Sequence, residues 1–273
     1  MIFAGIDIGS TTTETVLLDE KQRIVASSWV LTGIGLEAAA DETLQQCLAQ
    51  SGHRREEIGY CVSTGYGREL VEYADSDFTE IACHAKGANY WFPEARGVID
   101  IGGQDSKAIS INANGGIMNF AMNDKCAAGT GRFLEVMARI MGLEVEEMGR
   151  QSLLAERATN VSSICTVFAE SEVISLLAKK ATTPCEIMAG IHESVVRRVH
   201  MLVQKAQLSV PIVMTGGVAR NIGVVKSFEK VLETKLLIPE DPQSIGALGA
   251  AIIAHSQYRK KRTKEKGSRK WKF

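Results

Sequence analysis

The chain opens on IFAGIDIG and ETVLLD, apolar runs rich in β-branched residues, with RIVASSWVL following a polar break. Short apolar runs of this kind, bounded by turn residues, predict three strands. GLEAAADETLQQCLAQSG has the character of a helix, IGYCVST of a further strand, and helix returns through Tyr90. At residue 97 the opening comes back. Ile6-Asp7-Ile8-Gly9 recurs as Ile99-Asp100-Ile101-Gly102, 93 residues later, and each copy leads into a polar turn and another strand. Four matching residues carry little by themselves, but the shared strand–turn–strand context makes them a structural duplication.

Past residue 120 the pattern is mainly helical. Phe133, Val136, Met137, Ile140 and Met141 fall on one helical stripe, and residues 166–180 and 186–207 also have helical period, the latter started by Pro184. PIVMTGG is a buried strand entering a glycine turn, KLLIP another strand, and IGALGAAIIAH a small-residue helix suited to close packing. The class is α/β, with two strand-led halves and a helical insertion in the second. The first half is expected to span residues 1–94 and the second 95–242, with the C-terminal helix, about 243–258, a candidate to pack back on the first.

Composition narrows the classes. The 273 residues are 45% hydrophobic and 23% charged, enough apolar material for a core in each half, which excludes a disordered or disulfide-stapled chain. No apolar stretch is long enough for a membrane span, and the N-terminus has the pattern of a strand rather than a signal peptide, so the cytoplasm is the expected compartment. The formal charge of −1 hides an asymmetry: residues 259–273 carry +8 and the rest of the chain −9. This basic tail is expected to be a solvated, mobile terminus, with attraction to an acidic partner as the alternative. One Trp and one Phe among its charges do not make a nucleic-acid motif.

None of the six cysteines forms a CxxC pair, and Cys47, Cys61 and Cys83 lie in apolar stretches as small buried hydrophobes. Cys126 and Cys165 differ, because each comes ahead of a predicted helix. Unpaired N–H groups and the macrodipole stabilise a thiolate at such a place. On this ground alone, inert or merely reactive thiols remain open. His84, His192 and His200 are expected to be ordinary helix residues, since no second ligand stands at metal spacing.

Three glycine turns follow strands: Asp7-Ile-Gly-Ser-Thr-Thr-Thr13, Asp100-Ile-Gly-Gly-Gln-Asp105 and Thr215-Gly-Gly-Val-Ala. Such turns bring backbone N–H groups close to phosphate oxygens, and an aspartate at a strand end can hold a metal ion through water. Three copies point to nucleotide binding, although neither GxxxxGK[ST] nor a GxGxxG following a strand is present.

With these turns, STGYGRE (63–69), IDIGGQDSK (99–107), MNDKCAAGTGRFLEVMA (122–138), SSICTVFAESEVIS (162–175), MTGGVA (214–219) and GALGAA (246–251) together resemble a known group. The chain resembles the activators of 2-hydroxyacyl-CoA dehydratases, within the ATPase family named for benzoyl-CoA reductase subunits. Its wider superfamily, with actin, hexokinase and heat-shock-70, closes two RNase H-like lobes over ATP. The resemblance implies ATP/ADP with Mg²⁺ held by Asp7 and Asp100 through water, and Gln104 or Asp105 orienting the attacking water. It implies phosphate contacts from Ser10, Thr11, Thr12, Thr13, Gly102, Gly103, Gly129, Thr130, Gly131, Gly216 and Gly217, with Gln243 near the adenine. Cys126 and Cys165 become ligands of a 4Fe–4S cluster, one per homodimer, because two copies supply the four thiolates a cubane needs. A ferredoxin or flavodoxin would be the electron donor. The recipient would be a 2-hydroxyacyl-CoA dehydratase or a benzoyl-CoA-reductase-like enzyme. One position departs from the pattern: relatives can carry Lys where this chain has Glu14. The alternatives are a small-molecule kinase of the same superfamily, which leaves both cysteines without a role, and a nucleotide-dependent scaffold.

Overall fold

The computed structural model describes residues 1–162, 165–180 and 182–269. Its elements begin with β1 (Ile2–Ile8), β2 (Thr12–Asp19), β3 (Ile24–Leu31), α1 (Leu36–Ser51), β4 (Ile58–Gly65), β5 (Ser76–Asp77) and α2 (Glu80–Trp91). There follow β6 (Gly97–Ile101), β7 (Ser106–Ile111), β8 (Ile117–Asn123), α3 (Gly131–Met141), α4 (Val145–Ser152), α5 (Thr166–Lys179) and α6 (Pro184–Ala206). β9 (Ile212–Thr215), α7 (Ile222–Leu232), β10 (Leu236–Leu237) and α8 (Ile245–Arg269) complete the chain. Two compact units result, Met1–Trp91 with the segment from Ser244 onward, and Phe92–Gln243.

In the first unit the sheet order is β3-β2-β1-β4-β5, with β1, β2 and β3 antiparallel and β4 and β5 added in parallel. β1 is buried along its whole length, as a central strand covered on both faces must be. Its alternation sends Ile2, Ala4, Ile6 and Ile8 to a core with Leu44 and Cys47 of α1. Phe3 goes to the opposite face, where it meets Cys83 of α2 and Ala250 and Ala254 of α8. Gly5 lies on that face too, and a Cβ there would overlap the Ala247 carbonyl and the Ala251 amide. The small-residue helix thus lies backbone against backbone on β1. Gly5→Ala is expected to cost about 1–3 kcal/mol, because no rotamer change relieves an overlap with main chain; urea denaturation measures the loss.

The second unit repeats the topology, in the order β10-β9-β6-β7-β8, again with a central strand, two antiparallel neighbours on one side and parallel strands on the other. Where α1 is the one α-helix between β3 and β4, here α3, α4 and α5 are inserted between β8 and the long α6. Phe133, Leu134, Met137 and Ala138 of α3 are buried in one core with Ile187, Ile191, Val195 and Val199 of α6, and Val136, Ile140 and Met141 pack at its margin. Pro184 stands at the first position of α6, and Thr183 and Glu186 close a reciprocal capping box. Hydrogen bonds from the Thr183 amide, Arg157 and Thr182 hold the Glu186 carboxyl down at about 2.

The basic segment differs from expectation. α8 continues without a break through Arg269, so residues 259–269 are helix rather than tail, while 270–273 lie outside the described residues. Lys and Arg are good helix formers, and no proline interrupts them. Among the described residues no helix is long and apolar enough to cross a membrane.

Candidate functional site

In the first unit, Asp7 is the next-to-last residue of β1 and is largely buried on the α8 side. Gly65, in the left-handed region at φ 92°, ends β4 directly beside it, and a Cβ there would reach both Asp7 Oδ1 and the Ile8 carbonyl. Gly246 of α8 lies so close that a Cβ would strike Asp7 Oδ2. The STGYGRE and GALGAA segments therefore converge on one carboxylate. His84, expected to be an ordinary helix residue, lies on α2 with Nε2 4.0 Å from Asp7 Oδ2. The turn after β1 is closed by Gly9 N donating to the Thr12 carbonyl at 3.0 Å. Ser10 is exposed and Thr11 and Thr12 are half-buried at this turn. Thr13 is fully buried, its hydroxyl 2.9 Å from that of Thr32, which itself donates to the Gly9 carbonyl at 2.8 Å. Thr13 braces the turn from within.

In the second unit, Asp100 takes the same place on β6. Thr215 donates its hydroxyl to Asp100 Oδ1 at 2.8 Å, and Lys107 Nζ lies 3.4 Å from Oδ2. The same ammonium bonds Asp105 Oδ2 at 2.5 Å. Gly102 N donates to the Asp105 carbonyl at 3.0 Å and closes the turn, leaving Gln104 exposed at its tip. Lys107 was not singled out from the sequence, yet a lysine inside the apolar strand KAISIN is a signal, because a buried ammonium needs anionic partners. Gly216, at φ 82°, brings the third turn against the Ile101 carbonyl and Asp100. Gln243 Oε1 stands 3.9 Å from where a Gly217 Cβ would be, so these two lie side by side.

The cysteine segments belong to the same unit. Gly131 N and Arg132 N, at the start of α3, donate to the carbonyls of Gly102 and Gly103, each at 2.8 Å. Thr130 donates its hydroxyl to the Ala127 carbonyl at 2.7 Å, and Asn123 donates to the Cys126 carbonyl at 2.8 Å. The Cys126 loop and the Asp100 turn are thereby tied through backbone. Cys126 itself stands four residues ahead of the N-cap, Thr130, so the helix-dipole argument does not reach it; that field fades within the first turn. Cys165 is the N-cap of α5. Both thiols are half-buried, whereas burial pushes Cys47, Cys61 and Cys83 up to about 12, as expected of inert thiols. Ser163 and Ile164, beside Cys165, lie outside the described residues.

Downstream of the third turn, Asn221 caps α7 by accepting from Gly223 N and Val224 N, and donates to the Val145 carbonyl at 3.0 Å. Its amide nitrogen is 3.3 Å from Nε2 of His192, a fully buried ring whose Nδ1 has no hydrogen-bond partner among the described residues. Burial lowers His192 from 6.5 to about 4. The folded protein keeps this ring neutral while the unfolded chain protonates it. Its contribution to stability is therefore complete above pH 6.5 and lost as pH falls towards 4, about 3 kcal/mol in all. Urea denaturation at a series of pH values should show that slope, and His192→Gln should flatten it.

Asp7 and Asp100 are hard oxygen donors at the ends of the two central strands, the chemistry Mg²⁺ takes. Cys126 and Cys165 are soft donors, the type of side chain that iron–sulfur clusters take. Comparison with known proteins places the chain among relatives of one family. A 2-hydroxyisocaproyl-CoA dehydratase activator of Clostridioides difficile is 46% identical over 257 residues, covering 94% of this chain and 96% of that protein. An (R)-2-hydroxyglutaryl-CoA dehydratase activating ATPase of Acidaminococcus fermentans is 43% identical, covering 93% and 96%. The solved structure of a C. difficile activator of 2-hydroxyisocaproyl-CoA dehydratase with bound ADPNP matches at a TM-score of 0.91 and 44% identity, over 97% of this chain and 98% of that one. The two units are duplicated ATPase lobes. With residues 4–254 matching the family model, the chain belongs to the BadF/BadG/BcrA/BcrD ATPase family.

Proposed function

We propose that this chain is an ATP-dependent activator of a 2-hydroxyacyl-CoA dehydratase or related acyl-CoA reductase, delivering single electrons at low potential. The observation that carries the reading is the pair of 2.8 Å bonds from Gly131 N and Arg132 N to Gly102 and Gly103. Through them a change at a phosphate turn reaches the loop that bears Cys126. The names of the relatives, activators of acyl-CoA dehydratases, supply the class of recipient.

In this reading Asp7 and Asp100 hold nucleotide-bound Mg²⁺ through water. Ser10, Thr11, Thr12, Gly102, Gly103, Gly129, Thr130, Gly131, Gly216 and Gly217 receive the phosphates, and Gln243 lies near the adenine. Gln104, exposed at the tip of the turn, or Asp105, bonded to Lys107, orients the attacking water. Cys126 and Cys165 would hold a 4Fe–4S cluster together with the same pair from a second copy, in a homodimer. When bound, that cluster supplies one-electron transfer at low potential. Lowering a one-electron potential by about 59 mV requires about 1.4 kcal/mol, so a shift of several hundred millivolts calls for ATP. A ferredoxin or flavodoxin recharges the activator.

Mixing the anaerobically purified chain with ATP, Mg²⁺, a low-potential reductant and a dehydratase tests the reading. Dehydratase activity should appear only with ATP and vanish for Cys126→Ala. Phosphate transfer to a small hydroxyl compound, without activation, would make the protein a kinase instead.

A further inference from the structure

Between α4 and α5, residues 153–162 form no helix or strand, so the course of this limb towards Cys165 is set by what it leans on. It leans on α6. Thr159 N donates to the Glu186 carbonyl at 2.9 Å, and Arg157 bonds the Glu186 carboxylate at 2.9 Å. Gly190 comes so close that a Cβ there would overlap the Thr159 carbonyl. Val161 is fully buried in the core that α6 lines. Two turns beyond Gly190, Arg197 donates through Nη2 to the Val161 carbonyl at 2.7 Å. The next residues of α6 meet the other cysteine's loop. Gly129, at φ 91°, lies against Arg198, and a Cβ on it would strike the Arg198 stem, with Val199 Cγ2 beside the same point. Successive helical side chains point about 100° apart, so one turn of α6 touches both the Cys126 loop and the Cys165 limb.

Building on the cluster reading above, we propose that Arg197 is a positioning residue for Cys165, and that residues 197–199 of α6 gauge the separation of the two thiols within one chain. A helix of 23 residues, closed by a capping box and buried along one side in the core, is a stiff mount. Metal ligands bind best when groups behind them hold them ready. Arg197 reaches the limb at Val161, four residues ahead of the thiol. The charge of the guanidinium strengthens its bond to the carbonyl. Glu193, one turn back, has Oε2 3.8 Å from Nη1 of Arg197 and steadies it. The Arg197 side chain is 43% exposed, so it can be replaced without opening the core.

Alkylation of each cysteine by iodoacetamide in the metal-free full-length chain, followed by peptide mass, tests the proposal without recourse to activity. The reduction potential and electron paramagnetic resonance spectrum of the iron-loaded chain supply a second readout. Arg197→Met should speed alkylation of Cys165 about tenfold, the effect on local opening of losing a hydrogen bond from a charged donor. Cys126 should keep its wild-type rate. The same variant should shift the potential and the spectrum, and Arg197→Lys, which retains a charged donor, should restore both readouts. A wild-type rate for Cys165 in Arg197→Met, or equal acceleration of Cys126, overturns the proposal while leaving the cluster reading intact. Iron absent from the wild-type chain overturns the cluster reading, and the alkylation rates still decide whether Arg197 holds Cys165.

Discussion

Asp100→Asn is expected to lower ATP turnover by about a hundredfold or more, the scale of losing one preorganised electrostatic group in an active site. The substitution preserves shape but removes the charge that faces Lys107, and it leaves the Thr215 hydroxyl with an amide oxygen to donate to. Packing around a residue only 2% exposed should therefore survive. Lys107 keeps its bond to Asp105, so a cooperative melting curve, even if shifted, beside collapsed phosphate release would locate the loss in chemistry. Turnover close to wild type would remove this turn from the reaction.

The second large effect falls on stability. Lys107 is 3% exposed and stands between the carboxylates of Asp100 and Asp105. Lys107→Met deletes a cation that both carboxylates share, that of Asp100 being buried. Removing one member of a buried ion pair costs about 3–5 kcal/mol, so urea should unfold the variant at markedly lower concentration. Adding Asp105→Asn should recover part of that loss, because it removes one of the stranded charges. A Lys107→Met variant as stable as wild type would mean that the ammonium is not what balances these acids.

Much of the architecture could be read from residue pattern. The recurrence of Ile-Asp-Ile-Gly became two sheets of one topology, and the stripe from Phe133 to Met141 became α3. IGALGAAIIAH has the small residues that close packing needs, and α8 meets β1 at Gly5. What pattern could not give is which side chains meet once strands pair. Lys107 gains its meaning from reaching two acids on neighbouring backbone. His84 comes near Asp7 only because α2 packs beside α8. Thr13 looks like its hydroxyl neighbours in the sequence, yet strand alternation turns it towards Thr32. The turn at Ala127–Thr130 separates Cys126 from its helix, a spacing that local periodicity does not resolve.

Electron delivery, as proposed, requires Cys126 and Cys165 to act as half of a shared inorganic centre. Iron and acid-labile sulfide, measured together with oligomer mass on anaerobically purified protein, test this most directly. Two chains per particle with about four irons and four sulfides, lost in both Cys126→Ala and Cys165→Ala, is the predicted result. A colourless, iron-free particle, or iron retained in either variant, would contradict it.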